Sequence, residues 1–346
     1  MRLLTVLGVF LWLLSGSLLA AESADSWEPK RTRVFIVGIL EWKRSDAWPA
    51  FPKANRRDLR VVQAFKALGV PPQQIVHLMD RQATQTAIRE QFKALLGASQ
   101  AGELLVIYYA GHGYRQEPDR SFWMVPYDGF DLGTLWGMTE LEESIAKGFK
   151  GARVLMAADC CHSGSLRRLV RRSTTHLGLA AFASSTARLS STGNWTFTDC
   201  LLDALSGDPR FDLDGDGWIT LAELSALVEK DMLFAEGQRA GGSGSLKFPL
   251  ETRWIRTARP KRKDEGKYAN VLYGSQFWKA RILDRSMRGV FVRWMGLAHD
   301  YPDEWVPDDT VQEVPVVVPP RTRGRSPTPN PQVQGRDPVW DGGVLR

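Results

Sequence analysis

The segment 153–164 reads RVLMAADCCHSG, and the segment 104–113 reads LLVIYYAGHG. Each begins with a mostly apolar run and ends in a glycine-containing turn that carries a reactive side chain. Apolar runs with little alternation are typical of strands that are covered on both faces. If these two strands are neighbours in a parallel sheet, their carboxyl ends meet at one edge, and the turn with His112 lies opposite the turn with Cys161. The two segments therefore predict a buried parallel sheet with an imidazole and a thiol at its edge.

Apolar runs alternate with amphipathic stretches over the whole region from Arg33 to about Ser185. The predicted strands are Val34–Leu40, Ile75–Met79, Leu104–Tyr109, Arg153–Ala158 and Gly178–Ser184, and the predicted helices are Asp58–Leu68, Thr84–Leu96 and Met138–Ile145. In the first helix, Leu59, Val62 and Phe65 have helical spacing and are expected to form its apolar face. This alternation indicates an α/β fold in which helices cover a mostly parallel sheet.

His112 and Cys161 are candidates for a catalytic pair. A thiolate is the nucleophilic form of cysteine, and a neighbouring imidazole populates it near neutral pH. The glycines around both residues, including Gly113, let backbone N–H groups approach a substrate carbonyl, as an oxyanion hole requires. Each residue taken alone is also explained by a structural role, since a cysteine at a strand end is often a small buried hydrophobe. His112 precedes Cys161 by 49 positions, close to the separation of roughly fifty residues in caspases.

The sequence resembles the metacaspases and the bacterial caspase-like peptidases. The resemblance is carried by YAGHG at 109–113 and by DCCHSG at 159–164, where those peptidases typically have DSCHSG, and it extends from about Val34 to Pro249; further matching pieces lie at 54–58, 122–126 and 197–202. It implies a caspase-like three-layer α/β sandwich and a cysteine endopeptidase with Cys161 as nucleophile. It also implies that His112 is the acid and base, and that the backbone N–H groups of Gly113 and Cys161 form the oxyanion hole.

Two neighbours of Cys161 need an interpretation. Cys160 stands where the family usually has serine, so two thiols are adjacent and reactivity alone does not say which is the nucleophile. His162 is interpreted as structural, because the side chain next to the nucleophile on an extended strand end points to the opposite face.

Acidic residues determine the expected substrate. In metacaspase-like enzymes, residues equivalent to Asp159 and Asp58 line the pocket for the residue before the cut. The resemblance therefore implies protein or peptide substrates with Arg or Lys at the cut, because a cationic side chain compensates a buried carboxylate. For Asp58 the alternative is a residue that stabilises a helix N-terminus. The Arg-rich segment 166–173, LRRLVRRS, lies where the family has a loop, and it is either a self-cleavage site or a solvated loop.

The segment 212–223, DLDGDGWITLAE, fits a twelve-residue Ca²⁺ loop. Its expected ligands are side-chain oxygens of Asp212, Asp214 and Asp216, the carbonyl of Trp218 and both carboxylate oxygens of Glu223. An exiting helix is predicted at Leu221–Met232, whereas Gly207 and Pro209 interrupt an entering helix. The prediction is a calcium loop without a complete EF-hand, and the alternative is an acidic turn that caps a helix. No organic cofactor is expected.

The C-terminal third is expected to form a second unit. A basic linker, 256–266, leads into short strands at 267–311 whose spacing resembles Tudor-knot and chromo-like SH3-type barrels. Four aromatic residues are candidates to bind a ligand of unknown identity, although in so small a barrel about half of the aromatics belong to the core; they are Tyr273, Trp278, Trp294 and Trp305. The tail 312–346 is rich in Pro, Arg and Gly and is expected to be disordered.

The N-terminus predicts the location of the protein. Residues 1–21 have the pattern of a signal peptide, with Arg2 followed by an apolar run, Leu3–Leu14, that is short for a membrane span. The expected location is therefore the periplasm or the medium, and membrane attachment by an uncleaved signal is the alternative. The peptidase domain is expected at 30–255.

Cysteine content and charge narrow the function further. Three cysteines are too few for a disulfide framework, although a Cys160–Cys200 disulfide that leaves Cys161 available remains open. The net charge of +6 is concentrated in two Arg clusters, which indicates a solvated surface rather than nucleic-acid binding. The competing functions are a caspase-like peptidase of other specificity and a non-catalytic caspase-fold protein that binds through its barrel. The presence of both His112 and Cys161 favours an enzyme.

Overall fold

The computed structural model describes residues 27–319 except 55, 118–119, 174, 188–192 and 297–299, together with 340–341 and 344–345. The described helices are α1 (Asp58–Ala67), α2 (Gln85–Gly97), α3 (Met138–Gly148), α4 (Ser165–Arg172), α5 (Thr196–Leu205) and α6 (Leu221–Glu236). The described strands are β1 (Thr32–Gly38), β2 (Ile75–Met79), β3 (Leu104–Ala110), β4 (Gly113–Arg115), β5 (Phe122–Met124), β6 (Trp136–Gly137), β7 (Arg153–Asp159), β8 (Gly178–Ala183), β9 (Trp218–Thr220), β10 (Gly241–Gly244), β11 (Arg253–Arg256), β12 (Tyr268–Tyr273), β13 (Gln276–Ser286), β14 (Gly289–Trp294), β15 (Glu304–Val306), β16 (Val311–Val314), β17 (Trp340–Asp341) and β18 (Val344–Leu345).

A six-stranded sheet forms the centre of the molecule. Its order is β10-β8-β7-β3-β1-β2, and β10 is antiparallel to β8 while the other pairs are parallel. Strands β1, β3 and β8 are buried along their whole length, as their apolar sequences require. The α/β fold with a mostly parallel sheet is therefore confirmed, and each of the five predicted strands lies within two residues of its predicted bounds.

Helices cover both faces of this sheet and make three layers. One apolar cluster joins alternate strand residues, such as Val34 and Ile36, to α1, α5 and α6. A second cluster joins the residues between them, such as Phe35 and Val37, to α2, α3 and α4. The prediction for Leu59 is wrong, because 43% of Leu59 is exposed. The buried residues of α1 are Asp58, Val61, Val62 and Phe65.

The C-terminal part is a five-stranded antiparallel sheet in the order β15-β14-β13-β12-β16. It has its own apolar cluster, to which Trp294 belongs and against which Trp278 packs, whereas Tyr273 and Trp305 are exposed. Because β16 ends at Val314, this sheet extends beyond the predicted limit of 311. Its identification as an SH3-like barrel stays a prediction.

The segment 256–266, the predicted linker, is hydrogen-bonded to both parts of the chain. Strand β11 pairs with β9, and farther along Arg259 forms an ion pair with the buried carboxylate of Glu265. The backbone N–H of Gly266 donates to the carbonyl of Ile282 at 2.8 Å. These contacts hold the C-terminal sheet against the rest of the chain.

A buried ion cluster lies between α5, α6 and the C-terminal sheet. Asp231 accepts from Arg210 at 2.9 Å and from Arg281 at 3.0 Å, and the hydroxyl of Tyr268 donates to it at 2.7 Å. Asp203 accepts from Arg281 at 2.5 Å and from Arg293 at 2.8 Å. A cavity of about 320 Å³ adjoins this cluster, and its charged lining is bonded within the protein. The two parts of the chain are therefore joined by ion pairs, of which those of Asp231 with Arg210 and Arg281 are buried.

Two predicted segments lie outside the described residues. They are the signal peptide at 1–21 and most of the tail, namely 320–339, 342–343 and 346. Among the helices that the structure describes, none has the length and apolarity needed to cross a membrane.

Candidate active site

The register of the central sheet brings the two predicted turns together. Strands β3 and β7 are parallel neighbours, and Ala110 is paired with Asp159. His112 and Cys161 each lie two residues beyond this pair, and the N–H of Gly111 donates to the carbonyl of Asp159 at 3.3 Å. A Cβ placed on Gly113 would overlap the carbonyl oxygen of Cys161. The His112 turn is thus packed directly against the Cys161 turn, and only glycine fits at position 113.

The imidazole of His112 is held by a backbone carbonyl. Its Nε2 lies 2.9 Å from the carbonyl oxygen of Pro49. Because a carbonyl can only accept a hydrogen bond, Nε2 carries the proton, and Nδ1 is the ring nitrogen that can accept one. The hydroxyl of Tyr109 donates to the carbonyl of His112 at 2.7 Å and fixes its backbone. His112 is therefore oriented through both its ring and its main chain.

The two adjacent thiols have different environments. Cys161 is partly exposed and lines a cleft, whereas Cys160 is 1% exposed and belongs to an apolar cluster beside the sheet. Burial raises the pKa of the Cys160 thiol well above its usual range, so this thiol stays protonated at neutral pH. Both residues border the cleft, but only the side chain of Cys161 is partly exposed there.

The disulfide between Cys160 and Cys200 is excluded. All three cysteines lie in the described part of the chain, and none of them forms a disulfide. Cys160 packs on the face of the sheet with α2, α3 and α4, while Cys200 lies in the cluster on the opposite face. Because the sheet separates the two sulfur atoms, they cannot be bonded without unfolding.

His162 is buried, but the reason given for its orientation is wrong. The chain is not extended at this position, because φ of His162 is +59°, in the left-handed region. The reversal folds residues 160–165 into a tight turn, in which the N–H of Ser165 donates to the carbonyl of His162 at 3.0 Å. The hydroxyl of Ser185 donates to the carbonyl of Cys160 at 3.0 Å and ties the turn to the end of β8. This turn presents Cys161 at the sheet edge.

The backbone N–H of Gly113 takes no part in the ladder between β4 and β5. The N–H of Val125 donates to the carbonyl of His112 at 3.2 Å. Hydrogen-bonded and non-hydrogen-bonded pairs alternate along an antiparallel ladder. Because His112 and Val125 form a hydrogen-bonded pair, the next pair, Gly113 with Met124, is not hydrogen-bonded. The N–H of Gly113 therefore points away from β5.

Asp159 lies in the cleft beside Cys161. The residues that line this Cys161 cleft are Leu40, Phe51, Pro52, Ala110, Gly111, Asp159, Cys160, Cys161, Gly193, Asn194 and Trp195. The hydroxyl of Thr198, on α5, donates to Asp159 Oδ2 at 2.6 Å. Burial raises the pKa of Asp159 to about 7, while hydrogen bonds from Thr198 and Ser184 oppose the rise. The cleft thus contains a carboxyl group that titrates near neutral pH.

Asp58 has a different environment from the one expected of a substrate-binding residue. Its side chain is completely buried, and Arg56 donates to both of its oxygens at 2.8 Å. His77 Nε2 lies 3.1 Å from Oδ2, and Asp58 is not among the described residues that line the Cys161 cleft. The carboxylate is already bonded within the protein, so Asp58 has no place in the specificity proposed below.

The acidic loop brings its three aspartates together. Oxygen atoms of Asp212, Asp214 and Asp216 lie within 4.8 Å of one another, and oxygen is the donor that Ca²⁺ prefers. Arg253 forms an ion pair of 2.7 Å with Asp216, and Glu223 accepts from the N–H groups of Leu213 and Thr220 at 2.7 and 2.8 Å. The loop fits a calcium ion in its donor atoms, while Glu223 also serves as the cap of α6.

The helices around this loop agree with the prediction of an incomplete EF-hand. Helix α6 leaves the loop and ends at Glu236, four residues beyond the predicted limit. On the other side, α5 ends at Leu205, and Gly207 has φ of +75°, before a short 3-10 turn at Pro209–Phe211.

The Arg-rich segment is a helix rather than a loop. Helix α4 contains the four arginines, Arg167, Arg168, Arg171 and Arg172. Its residues Leu166 and Val170 are buried. Arg167 and Arg168 are half-buried, and Arg171 and Arg172 are exposed. The expectation of a loop is wrong, because the apolar spacing i, i+4 within the segment supports a short amphipathic helix.

Several residues of the site were not predicted from the sequence. The carbonyl of Pro49 and the rings of Trp42, Trp48 and Phe51 surround His112, and Thr198 holds Asp159. The density of aromatic residues at 42–51 is a signal that could have drawn attention to this segment. The role of the Pro49 carbonyl could not be predicted, because no pattern of side chains indicates which backbone carbonyl accepts a hydrogen bond from His112.

One protein family matches part of the chain. Residues 67–170, which include both His112 and Cys161, match the family described as metacaspase, peptidase C14 domain. This match supports a caspase-like cysteine peptidase and is shorter than the region 34–249 over which the motifs resemble that group. No curated protein matches the chain.

Solved structures offer more distant similarities. Protein GSU0716 from Geobacter sulfurreducens is 12% identical, with a TM-score of 0.49, and the alignment covers 67% of this chain and 99% of that one. The Drosophila initiator caspase Dronc is 9% identical, with a TM-score of 0.44, and the alignment covers 66% of this chain and 85% of that one.

Proposed function

We propose that the protein is a cysteine endopeptidase in which Cys161 is the nucleophile and His112 is the acid and base. The observation that carries the proposal is the register of β3 and β7, which packs the His112 turn against the Cys161 turn. The burial of Cys160 and the exposure of Cys161 support the choice of nucleophile. The family match over 67–170 supports a peptidase of this class.

The reaction follows from these positions. His112 Nδ1 accepts the thiol proton while Nε2 remains bonded to Pro49, and the sulfur attacks the carbonyl carbon of the scissile bond. The N–H groups of Gly113 and Cys161 stabilise the resulting oxyanion. The carbon–nitrogen bond then breaks, His112 returns the proton to the leaving amine, and a thioester remains. His112 then removes a proton from a water molecule, and the water oxygen attacks the thioester. The carbon–sulfur bond breaks, and the sulfur of Cys161 receives this proton from His112.

The proposed substrates are proteins or peptides with Arg or Lys before the cut. Asp159 supports this specificity, because its carboxyl group lines the cleft next to Cys161 and a bound cation would favour its charged form. In a peptidase of other specificity, Asp159 would be protonated and would contact the substrate as a neutral hydrogen-bonding group.

Hydrolysis of matched fluorogenic peptides that end in Arg, Lys or Asp tests both proposals. We expect cleavage after Arg and Lys that is lost in Cys161→Ala and retained in Cys160→Ser, a matched control at the adjacent buried thiol. Cleavage only after Asp would keep the nucleophile and refute the specificity. Equal activity in Cys161→Ala and wild type would refute the nucleophile. Labelling of wild type but not Cys161→Ser by a thiol-reactive substrate analogue would separate a latent enzyme from a non-catalytic binding protein.

The loop 212–223 is proposed to bind Ca²⁺. Asp212, Asp214, Asp216 and the carbonyl of Trp218 would hold the ion, together with Glu223 if its carboxylate leaves the backbone N–H groups. Bound Ca²⁺ would offset the mutual repulsion of the aspartates and stabilise the fold. We expect the melting temperature of wild type to rise with Ca²⁺ and that of Asp212→Ala not to. Mg²⁺ at the same concentration is the control, and an equal response of both proteins to Ca²⁺ would refute the site.

Self-processing is proposed at the end of α4 rather than within it. Peptide bonds inside a helix are inaccessible to a peptidase unless the helix unfolds, and Arg172 is the last residue of α4. The bond between Arg172 and Ser173 is therefore the candidate. Intact-mass analysis of active wild type and of Arg172→Gln tests it, and an unbroken active wild type would refute it.

Export is proposed from residues 1–21. Fractionation of cells that produce the full chain, with N-terminal sequencing of the recovered protein, tests cleavage near position 21. Recovery of the intact chain in the membrane fraction would favour the uncleaved anchor.

A further inference from the structure

Three aromatic rings from one segment surround the imidazole of His112. The ring centroids of Trp42, Phe51 and Trp48 lie 4.3, 4.5 and 5.4 Å from the centroid of the imidazole. The three rings are tilted by 41–47° to it. The contact is therefore made by ring faces and edges on several sides, rather than by one stacked pair.

The two tryptophans are fixed by hydrogen bonds to the chain that follows β5. Trp42 Nε1 donates to the carbonyl of Val125 at 3.2 Å, and Trp48 Nε1 donates to the carbonyl of Gly129 at 3.0 Å. Both residues are buried, and the N–H of Lys43 between them donates to the carbonyl of Tyr127 at 2.9 Å. The rings cannot turn without breaking these bonds, so they form a rigid surface for the imidazole.

The same segment supplies the hydrogen-bond acceptor of His112. Pro49, whose carbonyl accepts from Nε2, lies between Trp48 and Phe51 in the sequence. Phe51 is itself tied to the end of β1, since its N–H donates to the carbonyl of Leu40 at 2.9 Å. One short segment therefore determines both the plane of the imidazole and the direction of its Nε2–H bond.

We propose that Trp42 and Trp48 are positioning residues for His112. Together with Phe51 and the Pro49 carbonyl they form what we call the aromatic seat, which keeps the imidazole in one orientation throughout the proton cycle. The inference rests on the proposed role of His112 and adds how its geometry is maintained. Phe51 also lines the Cys161 cleft, so its substitution would change substrate binding as well.

The chemistry of the seat suits both protonation states of the imidazole. The Pro49 carbonyl accepts the Nε2–H bond whether Nδ1 is protonated or not, so this bond persists while Nδ1 gains and loses a proton. The electron-rich ring faces attract the cationic form, which compensates part of its lost hydration. A displacement of about 1 Å between reacting groups can cost about 100-fold in rate, so a freely rotating imidazole would be a poor proton carrier.

Replacement of one ring tests the seat. We expect Trp42→Leu to lower kcat by about 10- to 100-fold while KM changes by less than about twofold, because Trp42 is not among the described residues that line the substrate cleft. Trp42→Phe keeps a ring against the imidazole and should restore kcat to within about threefold of wild type. The matched control is Trp123→Leu, the same replacement of a half-buried tryptophan on β5, which should keep the wild-type kcat.

Alkylation of Cys161 by iodoacetamide at pH 7 is the second readout, and it needs no peptide hydrolysis. We expect His112→Ala and Trp42→Leu to slow the reaction to a similar extent, and Trp42→Phe to react at close to the wild-type rate. Trp48→Leu provides an independent variant if Trp42→Leu does not fold, as judged by circular dichroism.

The two proposals fail in different ways. Wild-type kcat and alkylation rate in folded Trp42→Leu and Trp48→Leu would overturn the seat and leave the peptidase proposal standing. Equal loss in Trp42→Leu and Trp42→Phe would also overturn it, because the effect would then come from packing or from the Nε1 bond to Val125 that both variants lose, and not from ring contact with His112. Absence of both peptide cleavage and labelling by the substrate analogue in wild type, with alkylation that still depends on His112 and Trp42, would refute the peptidase proposal and retain the seat.

Discussion

In the Cys161 cleft, Asp159 carries a carboxyl group whose pKa is raised to about 7, chiefly by burial. Below this pH the group is protonated and offers an Arg side chain no charge. The value of kcat/KM for an Arg peptide should therefore increase as the pH rises through about 7. His112 and Cys161 also titrate, so the informative quantity is the ratio of kcat/KM in wild type to that in Asp159→Asn, measured between about pH 5 and pH 9. A ratio that does not change with pH would contradict the role of Asp159.

The same residue affects the stability of the free enzyme. A carboxyl whose pKa is higher in the folded than in the unfolded chain contributes stability at low pH, and this stability is lost as the pH rises from about 4 through about 7. Asp159→Asn cannot ionise. We therefore expect its melting temperature, relative to wild type, to increase between pH 5 and pH 8. Thermal unfolding monitored by circular dichroism checks this, and a relative decrease would show that the carboxylate is stabilised in the fold.

At the scale of the element, α5 connects the cleft to the C-terminal sheet. Thr198, in its first turn, donates to Asp159, while Asp199 and Asp203 farther along bind Arg57 and the arginines of the C-terminal sheet. One helix thus contributes to specificity at one end and to the ion cluster at the other.

The hydrogen bond from Thr198 lowers the pKa of Asp159 against the effect of burial. Thr198→Val removes this donor, so more of the carboxyl is protonated at pH 7. We expect kcat/KM for an Arg peptide at pH 7 to fall by about tenfold. A hydrogen bond to a charged group contributes about 1.5 kcal/mol, which corresponds to a factor of about ten. We also expect the pH profile to move to higher pH. Thr196→Val, the same change two residues earlier on α5, is the control, and equal losses in both variants would indicate damage to the helix.

Elements and motifs were readable from the sequence to different extents. The strands with His112 and Cys161 were predicted because continuous apolar runs and glycine turns are local signals. Helix α4 was mistaken for a loop, because its four arginines obscured the two apolar residues that it buries. Leu59 was expected on the buried face of α1, but the buried residue at the start of this helix is Asp58, which packs against Gly38. The partners of Asp58, Arg56 and His77, lie outside the helix. Such contacts depend on the arrangement of elements and not on the spacing within one of them.

At the scale of the whole molecule, the ion cluster is the feature that is hardest to predict from the sequence. Arg281 reaches Asp203 across 78 positions and Asp231 across 50. The neighbouring guanidinium groups hold the pKa of Asp231 below its usual range despite burial, so the cluster is charged at neutral pH. Its contribution to stability is therefore present at neutral pH and is lost only in strong acid.

Removal of one member of the cluster should be costly. Asp231→Ala removes the most deeply buried counter-ion of Arg210 and Arg281 and leaves them with Asp203 at the edge of the cluster. We expect a loss of about 3–5 kcal/mol in the free energy of unfolding. Denaturant unfolding followed by tryptophan fluorescence measures it. Glu143→Ala, which breaks the exposed pair with Lys147, should change stability too little to measure. A similarly small effect of Asp231→Ala would show that water enters the cluster.

The cluster also bears on how this chain could have been assembled. A domain that is joined by a flexible linker can be exchanged for another by recombination, because neither partner depends on the other's surface. Here the surface of α5 and α6 that faces the C-terminal sheet contains Asp203 and Asp231, and their counter-ions Arg281 and Arg293 belong to that sheet. A replacement sheet would have to bring equivalent arginines to the same places, so the two parts are expected to be inherited, and to be engineered, as one unit.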